Sequence, residues 1–251
     1  MITFRIDDVG ASTKYYNQHG KKVFKYKKIP YFYFLLANFW FFKRIEPFRE
    51  WGKYEELTAT EWQGFLKIFK EHKIKPIVAI TACWVDKNSQ LIPFPKKFSD
   101  EAKVLKKAFI KNNIVVANHG LTHCVVGKHL PSFLGSNRKF HREFWPELDE
   151  KTHEDHILRS QKILESFFNK KVEIFVPPGN VWSVKTYRAL LKTNIKNVIS
   201  ANYMLDSQEK MKSISFENDQ NGHFFSFHDR DLKLFGEKWL RKKINEAQKG
   251  N

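Results

Sequence analysis

Cysteine is nearly absent: Cys83 and Cys124 are the only two in 251 residues. Two thiols cannot build a disulfide framework. Both follow apolar runs, where cysteine serves as a small core residue, and such usage points to a reducing compartment. Long apolar runs are lacking too. The longest, Ile29 to Phe42, covers 14 residues, against the roughly 20 that a membrane-spanning helix needs. The N-terminus has no basic region followed by an apolar stretch and a small-residue cleavage site, so no signal peptide is expected. No G-x-G-x-x-G or G-x-x-x-x-G-K-[ST] loop occurs, which argues against a nucleotide-binding fold. There is no internal repeat and no low-complexity tract. Acidic residues are in deficit, 27 against 44 lysines and arginines, for a net charge of +17. A charge this large suits a polyanion such as nucleic acid, anionic lipid or a phosphorylated substrate. The bland alternative is surface solvation by lysines spread along the whole chain.

What is present alternates. Residues 1–6, 76–81, 113–118, 172–176, 197–200 and 222–228 read as strands. Residues 59–72, 99–111, 150–168, the stretch from Ser183 and 231–247 read as helices. Thr60 is a candidate N-cap, and Ser99-Asp100-Glu101 caps the next helix. Strands alternating with helices mean a mainly parallel sheet with right-handed crossovers. Six or so such units fit an incomplete or distorted barrel, and 251 residues suit a single domain. Two irregular stretches, near 11–56 and 120–149, read as insertions, and long loops in compact domains usually carry function.

In such folds sites form where strands end. Asp7-Asp8 leave the first strand. Trp84 and Asp86 follow the second, His119 and His123 the third, Pro177-Pro178-Gly179-Asn180 the fourth, and His228 with Arg230 the last. Ten histidines make one H-x-x-x-H unsurprising by chance; convergence with the acids lifts it above that. Two imidazoles and one carboxylate leave an open position on a divalent cation, the pattern of a catalytic site. Adjacent acids on a strand face opposite sides. At a strand end the backbone can bend, so that one acid binds metal while the other takes a proton from water. A cation lowers the pKa of such a water toward about 7, and an imidazole across the site can protonate a leaving group. Metal-assisted acyl hydrolysis follows.

The set FRIDDVG (4–10), NHGLTH (118–123), FVPPGN (175–180) and FSFHDRD (225–231) resembles the polysaccharide deacetylase family, the NodB-homology fold of carbohydrate esterase family 4. That resemblance spans essentially the whole chain. It implies an α/β fold, a distorted (β/α)7 barrel. It implies Asp7 as general base, Asp8, His119 and His123 as metal ligands, and His228 as general acid. Pro178, Gly179 and Asn180 would line the substrate groove and help form the oxyanion site. The implied metal is zinc, with cobalt, nickel or manganese as alternatives. The chain departs from the family's third motif: Val176 precedes the prolines where an arginine usually positions the base, and Gly179-Asn180 follow where a tyrosine is usual. Arg5, on the strand face of Asp7, or Arg230 is a candidate replacement.

These readings lead to a metal-dependent hydrolase removing an N-acyl group, N-acetyl first, from an amino sugar. With no leader, the chain resembles the intracellular branch found in surface-polysaccharide biosynthesis, which implies a cytoplasmic protein and a substrate that is nucleotide-linked, lipid-linked or polymeric. The alternative is a non-catalytic carbohydrate- or lipid-binding protein on a degenerate barrel. Nucleic acid is not expected as a partner, since no recognised module accompanies the charge. Trp84 is read either as a substrate contact or as packing. His153 and His156 are expected to be solvated. Residues 27–44, aromatic with Lys27, Lys28, Lys43 and Arg44 at the flanks, read either as a cover over the barrel mouth or as an element touching anionic membrane, at the inner face.

Overall fold

The computed structural model describes residues 2–17, 23–26, 29–32, 54–130 and 138–249. It opens with β1 (Thr3–Val9), α1 (Ser12–Asn17) and an antiparallel pair, β2 (Val23–Tyr26) and β3 (Ile29–Phe32). Then come α2 (Ala59–Glu71), β4 (Ile77–Ile80), a small hairpin of β5 (Cys83–Val85) and β6 (Leu91–Pro93), α3 (Phe94–Lys97) and α4 (Ser99–Ile110). β7 (Val115–Asn118), α5 (Glu150–Phe168), β8 (Ile174–Phe175), α6 (Val184–Leu190), β9 (Asn197–Ser200), β10 (Ser215–Asn218), β11 (Phe224–His228) and α7 (Asp229–Lys249) complete the chain.

Seven strands form one sheet in the order β10-β9-β8-β7-β4-β1-β11, parallel throughout. This is the expected α/β architecture. The seventh strand is β10, a short segment that sequence periodicity did not single out. The sheet is curled: Arg5 on β1 reaches Asp219, just past the far edge strand β10, at 2.8 Å. Two faces follow from the period-2 alternation of strands. On β1 and β4, Phe4, Ile6, Val78 and Ile80 face outward into a core shared with Trp62, Phe65, Phe69, Leu105 and Phe109 of α2 and α4. Smaller residues, Ile77, Ala79, Ala117, Val176 and Ile199, fill the inner face. A third cluster, around Trp182, Phe175, Phe144 and Leu190, seals α5 and α6 against β8 and β9.

Boundaries differ from expectation in informative ways. β1 runs on through Asp7-Asp8 to Val9. The cap of α2 is Thr58, not Thr60: its hydroxyl accepts from Glu61 N–H while the Glu61 carboxylate accepts from Thr58 N–H, a reciprocal capping box. Ser99 is the first residue of α4 rather than its cap. α7 begins at Asp229 and breaks at Gly236, whose φ is 71°. Of the aromatic stretch 27–44, only the backbone of 29–32 falls within the described residues, so both readings of that stretch lie outside them. No helix among the described residues is long and apolar enough to cross a membrane.

Replacing the cap hydroxyl, Thr58→Ala, should cost about 1 kcal/mol. Urea unfolding should report this as a lower midpoint with unchanged slope.

Candidate metal centre and active site

The site begins with a fault in β1. Arg5 and Ile6 pair with Ile77 and Val78 of β4, but Val9 pairs with Ile80, so β1 holds one extra residue at Asp7-Asp8. Asp8 has φ 65°, a left-handed conformation that aspartate tolerates better than most residues. Strict alternation would send Asp8 outward with Phe4 and Ile6, into the apolar layer. The bulge turns it back, which is how bulges re-aim side chains beside active sites. Gly10, at φ 79°, completes the turn; a Cβ there would lie 2.6 Å from the Phe94 ring.

Asp8 Oδ1 lies 3.2 Å from His119 Nε2 and 3.0 Å from His123 Nε2. The three donor atoms all fall within 4.8 Å of one another, and all three residues are buried. His119 comes from the end of β7, and its Nδ1 donates to the Val176 carbonyl at 2.7 Å. That bond leaves Nε2 as the lone-pair nitrogen, the usual way a ligating imidazole is oriented. His123, at φ 57°, has Nδ1 3.4 Å from Thr13 Oγ1. Its Nε2 is off the line of a hydrogen bond to Asp8, and this buried nitrogen has no hydrogen-bond partner among the described residues. An orphaned buried nitrogen, a second oriented imidazole and a carboxylate form a donor set that fits a divalent cation such as zinc. Burial alone would raise the Asp8 carboxyl, but the charges of His123 and His228 hold it well below its ordinary value.

Asp7 stands on the other side. Arg5 grips it with two donors, Nε to Oδ1 at 2.9 Å and Nη2 to Oδ2 at 2.8 Å. Arg5 is only 2 % exposed and also pairs with Asp219. Of the two arginines considered, Arg5 is the one that holds Asp7; Arg230 sits in the first turn of α7. Parallel pairing sets Asp7 beside His228. His228 Nε2 is 3.8 Å from Asp8 Oδ2, and its Nδ1 is 3.6 Å from Asp231 Oδ2. The charge of Asp8 first, then the bond to Asp231, raises the His228 pKa to about 9.

The other expected contacts divide. Pro178 is buried, and its Cγ is 3.1 Å from a Cβ built on Gly120, so the proline turn packs beside the histidine turn. Gly179 is exposed. The Asn180 side-chain oxygen accepts from Ser200 Oγ and Ala201 N–H, fastening the turn to the end of β9. Trp84 is 5 % exposed and packs edge-on against Tyr15 and Phe98, the packing role of the two considered. The Asp86 carboxylate accepts from Asn88 and Gln90 N–H and closes a turn. Cys83 and Cys124 are both free and buried, and burial pushes the Cys83 thiol up to about 11.

His153 and His156 are not solvated. His153 is buried, and its ring nitrogens bond Thr186 Oγ1 at 2.9 Å and the Trp145 carbonyl at 3.0 Å. His156 Nδ1 meets Glu143 Oε1 at 2.7 Å. Glu143 itself, buried beneath the histidine turn, carries no sequence signal. Nor does Lys14, which is fully buried, paired with Asp229 and with Glu56 at 3.0 Å, and lies 4.8 Å from the Tyr54 ring centre. Asp229 directly follows His228 and Thr13 directly precedes Lys14, so α1 touches both the His123 side and the His228 side of the candidate site.

A sequence model described as polysaccharide deacetylase matches residues 52–198, more than half of the chain. The match includes His119, His123 and Pro178–Asn180 and stops short of Asp7, Asp8 and His228. None of the curated proteins compared matches. Among solved structures, a CE4 family pseudoenzyme from Bacillus anthracis is 12 % identical with a TM-score of 0.46, over 78 % of this chain and 58 % of its own. The chain thus spans less than two thirds of that protein's length. A family 4 carbohydrate esterase from Bacillus anthracis is 14 % identical with a TM-score of 0.45, over 78 % and 72 %. IcaB from Ammonifex degensii is 13 % identical with a TM-score of 0.42, over 77 % and 70 %.

In the cation-free protein, the His228 ring should titrate near 9 by NMR. Asp8→Asn should bring that value down toward the ordinary 6.5 or so of imidazole, because the Asp8 charge is its largest cause. Asp231→Asn should lower it less. An unchanged titration in Asp8→Asn would refute this electrostatic assignment.

Proposed function

Since this chain belongs to the polysaccharide deacetylase family, we propose that it is a metal-dependent hydrolase that removes an N-acyl group, N-acetyl first, from an amino sugar. The observation that carries this reading is the cluster of Asp8, His119 and His123, flanked by an arginine-held carboxylate and a raised-pKa imidazole. Asp8, His119 and His123 would hold the cation, zinc first. When bound, such a cation polarises a carbonyl oxygen and lowers the pKa of water.

The chain's own groups then have distinct tasks. Asp7 accepts the proton of the attacking water. Arg5 fixes the direction of Asp7 through two charge-assisted bonds, supplying from β1 the guanidinium that the third motif lacks. The Gly179 backbone amide is a donor for the developing oxyanion. His228, protonated below about 9, passes its proton to the departing nitrogen. Pro178, Gly179 and Arg230, two residues past His228, are proposed for the substrate groove. The net charge of +17 supports a phosphate-bearing substrate, nucleotide- or lipid-linked, and the proposed setting is the cytoplasm or the membrane's inner face. The non-catalytic reading rests on the missing arginine and tyrosine of the third motif, and the Arg5–Asp7 fork weakens it.

The test joins elemental analysis to acetate release from N-acetylated amino sugars. The expected result is about one transition metal per chain, lost together with activity in Asp8→Ala, His119→Ala and His123→Ala. Metal and turnover surviving any of these would overturn the ligand assignment; metal binding without acetate release from any acylated sugar would favour the binding protein. Arg5→Met should lower kcat by roughly 10²–10⁴-fold, the usual worth of a positioned acid or base. It should also destabilise the fold by about 3–5 kcal/mol, because Asp7 and Asp219 are left buried and unpaired.

A further inference from the structure

Glu143 is among the most buried carboxylates of the chain, with 1 % exposure. Three consecutive backbone amides converge on it. Oε1 accepts from Leu121 N–H at 2.9 Å, and Oε2 accepts from Thr122 at 3.1 Å and His123 at 2.8 Å. His156, on α5, adds a fourth bond from Nδ1 to Oε1 at 2.7 Å. Successive amides curled around one anion make a nest, and nests form where the backbone turns through the left-handed region. His123 sits in that region, at φ 57°. The fit leaves no spare room. A Cβ on Gly120 would lie 2.3 Å from Glu143 Oε2, so only glycine allows the carboxylate to come this close.

We propose that Glu143 is a positioning residue for the cation site, holding His123 in its strained conformation so that Nε2 meets Asp8 and His119. The inference rests on the reading of Asp8, His119 and His123 as cation ligands. The two imidazoles are held by unlike means. His119 is carried at the end of β7 and tied to the Val176 carbonyl, with its backbone N–H bonded to Ile80 O at 3.0 Å. His123 lies five residues past β7, and among the described residues the hydrogen-bond contact of its ring outside the cluster is the long one to Thr13 Oγ1. Its direction therefore depends on the turn, and the turn is closed around Glu143. Removing the carboxylate would leave three buried amides without an acceptor, and the turn would relax to pair them elsewhere. Asn118 supports the opposite flank, its Oδ1 accepting from Gly120 N–H at 2.9 Å while its Nδ2 donates to Ser160 Oγ and Gln161 Oε1. The segment bearing Glu143 is thereby a brace for the ligand turn, supplied by the second expected insertion.

The test is cation affinity, measured by titrating the chelator-stripped full chain with Zn²⁺ against a competing chelator and with Co²⁺ by visible absorption. Glu143→Gln keeps the shape and removes the anion. Its Zn²⁺ Kd should rise about 10–100-fold, the usual effect of losing an outer support of a ligand, and its Co²⁺ spectrum should change. His156→Ala, which leaves all three amide bonds in place, should weaken binding less. Leu105→Ala, a core truncation on α4, should lower the Tm while leaving Kd and spectrum as in the wild type, separating ligand positioning from general stability. Wild-type Kd and spectrum in Glu143→Gln would overturn the proposal. Should Glu143→Gln not fold, the His156→Ala titration decides in its place, and no change there overturns it. No Zn²⁺ or Co²⁺ binding by the wild-type chain would instead sink the cation-site reading itself.

Discussion

One extra residue in β1 organises this protein. The pairing of β1 with β4 slips at Asp7-Asp8, and the slip makes consecutive acids usable together. In an unbroken strand they would face opposite sides of the sheet, and Asp8 would enter the apolar layer that Phe4 and Ile6 share with the helices. A left-handed residue other than glycine costs about 1–3 kcal/mol. The surroundings must hold it there: β11 on one side, β4 on the other, Gly10 in the turn behind, and two imidazoles in front. His123 repeats the pattern, a candidate ligand at positive φ kept in place by its neighbours. Asp8 and His123 are thus two of the left-handed non-glycine residues, alongside others at turns and helix ends such as Asn112 and Asn169.

Charge organises the same region at a second level. Arg5 bridges two carboxylates far apart in the sheet order, Asp7 on β1 and Asp219 just past the edge strand β10. A single guanidinium thus aims a functional group and ties the curled sheet to itself. Lys14 plays a comparable part beside His228, joining Asp229 to Glu56, which lies in the segment leading into α2. Buried ion pairs add little net stability compared with apolar packing, but losing one partner is costly. Their value here is geometric, because each connects a residue adjoining the site to an element distant in sequence.

The two long stretches outside the regular elements contribute differently. The described part of the second supplies Glu143 under the histidine turn, Arg142 against Gly179 and Trp145 as acceptor to His153. These residues belong to the support of the site. Within the first, α1 presses Thr13 and Lys14 against both halves of the candidate site. Loops carry function when a rigid scaffold positions them; here part of each loop belongs to that scaffold.

The sequence by itself determined the alternation of strands and helices, the parallel sheet, and the C-terminal portions of strands in or just after which Asp7, Asp8, His119, His123 and His228 lie. Those features are local: period-2 and period-3.6 patterns and residue types at element ends are written within a few residues of each other. Family membership follows from the same local signals, spread over residues 52–198. Only the tertiary structure decided that Asp8 turns inward, that Arg5 and not Arg230 holds Asp7, that Trp84 packs, and that His153 and His156 are engaged in the interior. It alone brought Glu143, Lys14 and Asp219 to the site. The reason is physical: a buried charge is defined by its partner, and these partners lie about 20 to 215 residues away along the chain. Composition and periodicity say which residues are charged and which are apolar, whereas the pairing of a buried charge exists only once the sheet has curled and the distant groups have met.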